Sequence, residues 1–229
     1  MTDWPCKDKI YYEAPEGVIY CGDCREILPH LPKVDLVLTD PPYAVSEDYD
    51  IYQDTTENLQ TLLKVVIPEL QLHSDLVALT CGVPNVGLYP HPTWMLAYVH
   101  PTGTGSTSWG FSSWHPILVY GKDPYLTNRM GRRPDIIVDK TQSPQTEEGR
   151  LHNKAKLIHP CVKPLEEWKR IITRTLVKLN GLILDPFLGS GTTAVAAQQL
   201  NHKFIGIEIS EKYCQIAVER LRQSVMRLE

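Results

Sequence analysis

The stretch Leu182-Ile183-Leu184-Asp185-Pro186-Phe187-Leu188-Gly189-Ser190-Gly191-Thr192-Thr193 constrains the fold more than any other part of the chain. Three aliphatic residues without polar alternation read as a strand buried on both faces, and Thr192 to Leu200 has the period of a helix. Strand, glycine turn and helix therefore follow one another directly. Glycines let the backbone pass close to a ligand, and the first turn of the helix offers unpaired N–H groups to an anion. Apolar runs of the same kind recur at Val18 to Tyr20, Asp35 to Thr39, Asp75 to Thr80, Ile117 to Tyr120 and Phe204 to Ile207. Between them lie stretches of helical period, Cys24 to Leu31, Thr56 to Leu72, Leu165 to Leu179 and Ser210 to Met226, with Pro164 and Ser210 marking two of the starts. Alternation of this kind predicts an α/β fold with a doubly wound, mostly parallel sheet.

The 229 residues suffice for one such domain, 1–229, with a short insertion. The insertion is expected at 83–157, which is rich in Pro, Gly, Ser and Thr and weakly periodic outside Ile117 to Tyr120. No apolar run reaches eighteen residues and the N-terminus lacks a signal-peptide pattern, so no membrane partner and a cytoplasmic location are expected. Six scattered cysteines do not form a disulfide framework, and Cys21-x-x-Cys24 lacks the second ligand pair of a zinc site, so no metal is expected. The net charge of −4 does not announce a nucleic-acid binder, but its distribution is uneven. Residues 1–80 hold 5 basic and 15 acidic side chains, 121–163 hold 9 basic and 5 acidic, and 81–120 hold neither. Such asymmetry can place a polyanion on one side of the molecule; uneven solvated charge reads equally well.

Asp40-Pro41-Pro42-Tyr43 directly follows a strand and so lies at the carboxyl end of the sheet, where open α/β folds bind ligands. An amino group on an aromatic ring is a poor nucleophile because its lone pair is delocalised. Two acceptors, the Asp40 carboxylate and the Pro41 carbonyl held by the rigid Pro41-Pro42 pair, would draw its hydrogens out of plane and free the lone pair. Tyr43 offers a face for an extruded base. Asp-Pro-Pro is also a common turn former, and Tyr43 could be ordinary core. Some twenty residues after the glycine turn, the next strand ends in Gly206-Ile207-Glu208, where a carboxylate can accept both ribose hydroxyls of a nucleoside. A nucleotide-hydrolase loop would need Lys where Thr192 stands, and a dinucleotide loop would carry a third glycine near Thr193.

Taken in order, Gly22-Asp23, Asp40 to Tyr43, His159-Pro160-Cys161-Val162-Lys163-Pro164, Asp185 to Thr193 and Glu208 resemble the β class of amino-directed DNA methyltransferases, and Trp114 to Lys122 is similar as well. The resemblance implies a Rossmann-like methyltransferase fold and S-adenosylmethionine as cofactor. In its terms Asp23 holds the cofactor adenine, Glu208 the ribose, and Gly189, Ser190, Gly191 and Thr192 the methionine end, with Asp185 near the methionine amino group and Cys24 and Phe187 against the cofactor. His159 and Lys163 would close over it, although relatives more often carry Thr-Gln where this chain has Cys161-Val162. The implied activity is methylation of adenine N6 in double-stranded DNA by base flipping and direct transfer. Cytosine N4 is the alternative within the class, and a non-catalytic DNA-binding protein on this fold is the alternative outside it. Relatives are often dimers, so a homodimer is allowed. Arg129, Arg132 and Arg133 form a basic cluster that could grip phosphates or read guanine, or be a flexible charged loop.

Overall fold

A computed structural model describes residues 3–43, 52–101, 105–138 and 163–225. Eleven strands are present among them: β1 (Ile10–Ala14), β2 (Gly17–Cys21), β3 (Leu36–Thr39), β4 (Leu76–Thr80), β5 (Trp94–Val99), β6 (Gly105–Thr107), β7 (Gly110–Ser112), β8 (Trp114–Gly121), β9 (Ile136–Val138), β10 (Leu182–Asp185) and β11 (Lys203–Glu208). The helices are α1 (Cys24–Ile27), α2 (Thr56–His73), α3 (Pro124–Thr127), α4 (Leu165–Thr175), α5 (Thr192–Gln199) and α6 (Glu211–Val225). Nine strands form one sheet in the order β1-β2-β11-β10-β3-β4-β8-β5-β9, and β6 and β7 pair separately as a hairpin. The five strands from β2 to β4 are parallel; β8 reverses the direction, and β5 and β9 run with the parallel set again.

The expected doubly wound sheet is thus present, and its two faces follow from period-two alternation along the central strands. Val37, Val77 and Leu79 point to one side, where α2 covers them with Leu59, Leu63, Val66, Ile67 and Leu70. Leu36, Leu38 and Ala78 point to the other, where α4, α5 and α6 cover them with Trp168, Ile171, Ala194, Ala196 and Ala217. Among the described residues, no helix is long and apolar enough to cross a membrane.

Two expectations change. Segment 83–157 is not wholly an insertion, because Trp94–Val99 and Ile136–Val138 pair into the main sheet beside Trp114–Gly121. What stands outside the sheet there, among the described residues, includes the β6–β7 hairpin and α3. Helix α4 ends at Thr175 rather than Leu179: Leu176 is already extended, and Asn180 adopts a left-handed backbone ahead of Gly181. Gly181 passes close under Leu176 on the way into β10.

Candidate active site

The carboxyl ends of β2, β3, β10 and β11 surround a cavity of about 560 Å³, well within the range of small-molecule sites. Its wall includes Asp23, Asp40, Lys163, Asp185, Gly189 and Glu208. Residues read from distant parts of the sequence therefore meet at one place.

On the glycine side the acids are held by backbone and hydroxyl donors. Glu208, at the end of β11, accepts from Gly189 N at 2.8 Å through one oxygen and from Ser210 N at 2.9 Å through the other. Each oxygen keeps a lone pair for a further donor. Burial raises its carboxyl to about 7, against these hydrogen bonds. Asp185, at the end of β10, accepts from Thr39 (2.6 Å) and Phe187 N (3.0 Å) on one oxygen and from Thr193 (2.5 Å) on the other. Burial again dominates and raises it to about 6. The loop between them turns through Gly191 at φ 82°, where a Cβ would also lie 2.7 Å from Ala217. Only glycine fits there.

Three supporting residues were not singled out from the sequence. Trp168 Nε1 donates to Thr193 Oγ1 at 2.6 Å, so α4 braces Asp185 through Thr193. Arg220, on α6, donates to the Ser190 carbonyl (2.7 Å), the Ser190 hydroxyl (2.7 Å) and the Thr192 hydroxyl (3.1 Å), stiffening the loop from behind. Its burial lowers the guanidinium to about 10. The signal was present: Tyr213, Ala217, Arg220 and Ser224 share one helix stripe, and a lone charge on a stripe facing the core needs partners.

On the other side, Asp40 follows β3 and is held by side chains. One carboxylate oxygen accepts from both Tyr43 Oη and Thr80 Oγ1. The other lies 2.8 Å from Lys163 Nζ. Lys163 Nζ also donates to Tyr43 Oη at 3.1 Å and sits 4.4 Å from the Tyr43 ring centre. Burial and the adjacent Asp40 hold the Tyr43 hydroxyl well above its usual range, so it remains a donor. Thr80, the polar end of β4, is the third supporting residue.

Several expected site residues are placed differently from the reading above. Lys163 reaches the Asp40 corner with its ammonium, while only its carbonyl faces Thr192, at 3.5 Å. Asp23 stands at the cavity wall, but its carboxylate caps α1 through Arg25 N (2.9 Å) and is gripped by the Arg25 side chain. Cys24 and Phe187 line the cavity. His159 lies outside the described residues. Arg129, Arg132 and Arg133 are exposed but do not join the corner. The pairing of Ala97 with Ile136 sets β9 parallel to β5, so the arginines preceding β9 run toward the amino end of β5, opposite the edge that carries Asp40. Arg133 stacks over Tyr125 at 4.9 Å there.

A doubly wound sheet with a glycine turn and with acids at the ends of β3, β10 and β11 around one cavity defines the class of open α/β proteins that take ligands at the carboxyl edge of the sheet. The sequence model of the DNA methylase family N6_N4_Mtase matches residues 94–219. The chain belongs to this N6/N4 DNA methylase family and is a DNA methyltransferase. Among curated relatives it is 27% identical over 271 residues to the type II methyltransferase M.ScaI of Streptomyces caespitosus, covering 96% of this chain and 86% of that one. Among solved structures, the PvuII DNA methyltransferase (cytosine-N4-specific) superposes with a TM-score of 0.68 at 16% identity, over 93% of this chain and 88% of that one. The complex of M1.HpyAVI with S-adenosylmethionine gives 0.63 at 22% identity, over 89% and 98%. At such identities the structural likeness speaks for the fold. It does not select the target base.

Proposed function

We propose that this methyltransferase uses S-adenosylmethionine to methylate N6 of adenine in double-stranded DNA. The observation that carries the reading is the convergence of two different acids on one cavity. Glu208 is anchored by backbone with acceptor capacity left over, which suits ribose hydroxyls, and Asp40 is held ready by Thr80 and Tyr43 a short way across the floor. The chain's residues fit the cofactor: the turn from Gly189 to Thr192 follows a strand and opens α5, and Ser190 and Thr192 hydroxyls are already fixed by Arg220. When bound, S-adenosylmethionine supplies an electrophilic methyl group on sulfonium.

The residues of the corner then act on the base. Asp40 accepts one amino hydrogen, the Pro41 carbonyl accepts the other, and the nitrogen lone pair is turned toward the methyl group. Tyr43 stacks on the extruded ring. Lys163 Nζ now stands where an amino donor to Asp40 would stand, above the same ring, so it must yield that position when the base enters. As the new N–C bond forms, the methyl–sulfonium bond would break to leave a neutral thioether, and the nitrogen would lose one proton, for which Asp40 is the acceptor in this reading.

The DNA face in this reading is the carboxyl edge of the sheet. The β6–β7 hairpin rises from that edge, between the end of β5 and the start of β8, and exposes Trp109 (98%) and Phe111 (82%). Aromatic groups there can take the place of a base that has left the stack. Asp at the head of the tetrapeptide supports adenine by resemblance to the family; cytosine N4 is the second reading, since a cytosine-N4-specific enzyme shares the fold. Incubation with unmethylated DNA and labelled cofactor, followed by nucleoside mass analysis, tests the proposal. N6-methyladenine is the expected product. N4-methylcytosine alone would move the assignment to cytosine, and no methylated base would remove it.

A further inference from the structure

Away from the cavity, three side chains from three elements meet in the protein interior. His100 follows β5, His115 lies in β8, and Glu167 is in the first turn of α4. The sheet fixes the two histidines as neighbours: Tyr98 pairs with His115 across the strands, and His100 N donates to the Ser113 carbonyl at 2.7 Å. Tyr98 stacks on the His115 ring at 5.5 Å and tilts against His100 at 4.9 Å, which holds both imidazoles in place. His100 Nε2 is 3.2 Å from His115 Nδ1 and 3.7 Å from Glu167 Oε2, and His115 Nε2 is 2.8 Å from Glu167 Oε1. One donor atom from each residue falls within 4.8 Å of the others.

The environment of Glu167 gives a second, independent indication. Its side chain is 2% exposed, and no Lys or Arg among the described residues lies within ion-pair distance. Its Oε1 accepts no hydrogen bond of acceptable geometry, despite the nearby imidazole. A buried carboxylate that faces imidazoles and no permanent cation is costly to desolvate. Two imidazoles and one carboxylate form the donor set that divalent zinc and its borderline neighbours prefer. Around a tetrahedral zinc with bonds of about 2.0–2.1 Å, neighbouring ligand atoms are about 3.3 Å apart. His100 Nε2, taken with His115 Nδ1 and Glu167 Oε2, gives separations of 3.2 and 3.7 Å that match this spacing. The 2.8 Å contact is made by the other ring nitrogen of His115 and gives way when Nδ1 serves as the ligand atom.

We propose that His100, His115 and Glu167 bind one divalent transition-metal ion, zinc being the probe of choice, as a structural clamp joining α4 to β5 and β8. Its placement gives it a task. Glu167 is followed by Trp168, which braces Thr193 and Asp185, and α4 begins just after Lys163. The ion fixes the element that presents both the cofactor floor and the lysine.

The test reads metal content, with neither DNA nor cofactor present, so its outcome is separate from that of the methylation proposal. Full-length protein is stripped with chelator, given zinc, passed through a desalting column and analysed for metal. One zinc per chain and a raised Tm are expected, both lost in Glu167→Gln and His115→Gln. If His115→Gln does not fold, the nearly isosteric Glu167→Gln still decides. Cobalt substitution should give visible absorption without thiolate-to-cobalt bands. Failure of wild-type protein to retain zinc would overturn the site. So would equal retention by the variants, or thiolate bands, which would place the metal on cysteines.

Discussion

The two acids of the cavity are built in opposite ways. Glu208 is clasped by backbone N–H groups of its own strand end and the adjoining loop, whereas Asp40 is clasped by Thr80, Tyr43 and Lys163, side chains from three separate segments. A backbone clasp is rigid and stays put when a ligand arrives. A side-chain clasp can exchange one donor for another, which is what a carboxylate must do if an amino group is to replace an ammonium. On the proposed function the difference separates holding from reacting, and it can be attacked by mutation.

The largest effect is expected at Asp40. Asp40→Ala should lower methyl transfer by at least about a hundredfold, the scale of losing one preorganised electrostatic partner, with cofactor affinity within about twofold of wild type. Loss of cofactor binding in this variant would erase the distinction. Glu208→Ala should do the reverse, weakening S-adenosylmethionine about 10- to 100-fold by calorimetry, as expected for hydrogen bonds to a charged group. Lys163→Met tests the placement of that ammonium. Turnover should change by about tenfold while cofactor affinity does not, and the opposite split would return Lys163 to the cofactor.

A pH dependence sharpens the same contrast. Glu208 titrates near 7 in the folded chain because of burial, against 4.5 as its ordinary value. The folded state therefore keeps a proton that the unfolded chain has released. Its contribution to stability is fully present below about 4.5 and is lost as pH rises through about 7. Asp185 adds a parallel loss toward about 6. Cofactor affinity should rise over the same interval, since the ionised carboxylate is the better acceptor. Glu208→Gln should flatten the affinity profile between pH 5 and 8 and remove part of the stability slope; an unchanged profile would detach the titration from Glu208. The smallest effect is expected from Arg220→Met, a several-fold loss of cofactor affinity with catalysis at saturation intact, measured as KM against kcat.

Much of the fold is legible in the sequence. The central strands β3, β4, β10 and β11 are covered on both sides, so their aliphatic runs announce them, and the turn residues that follow locate the cavity edge. The strands that escaped notice are half-covered or short: Ile10–Ala14 alternates in burial, Trp94–Val99 carries an exposed Trp, and Ile136–Val138 has only three residues. Pro and Gly around them masked the pattern. The arginine cluster was visible as charge, but which edge it occupies depends on the reversal at β8, a long-range pairing with no local signal. His100, His115 and Glu167 were equally silent, since residues far apart in sequence acquire a common environment only through the sheet register.

Thr39 links the two halves in a way that bears on how such enzymes diverge. Its hydroxyl is bound to Asp185, and its peptide runs straight into Asp40. On the proposed function, a change in the floor at Asp185 therefore bears on the position of Asp40 as well. Asp185 is joined to position 40 by one hydrogen bond to Thr39 and one peptide, and Thr193 and Trp168 reach it in turn through Asp185. On the proposed function, variation that retunes which DNA is modified falls more freely on the hairpin, which lies off the main sheet.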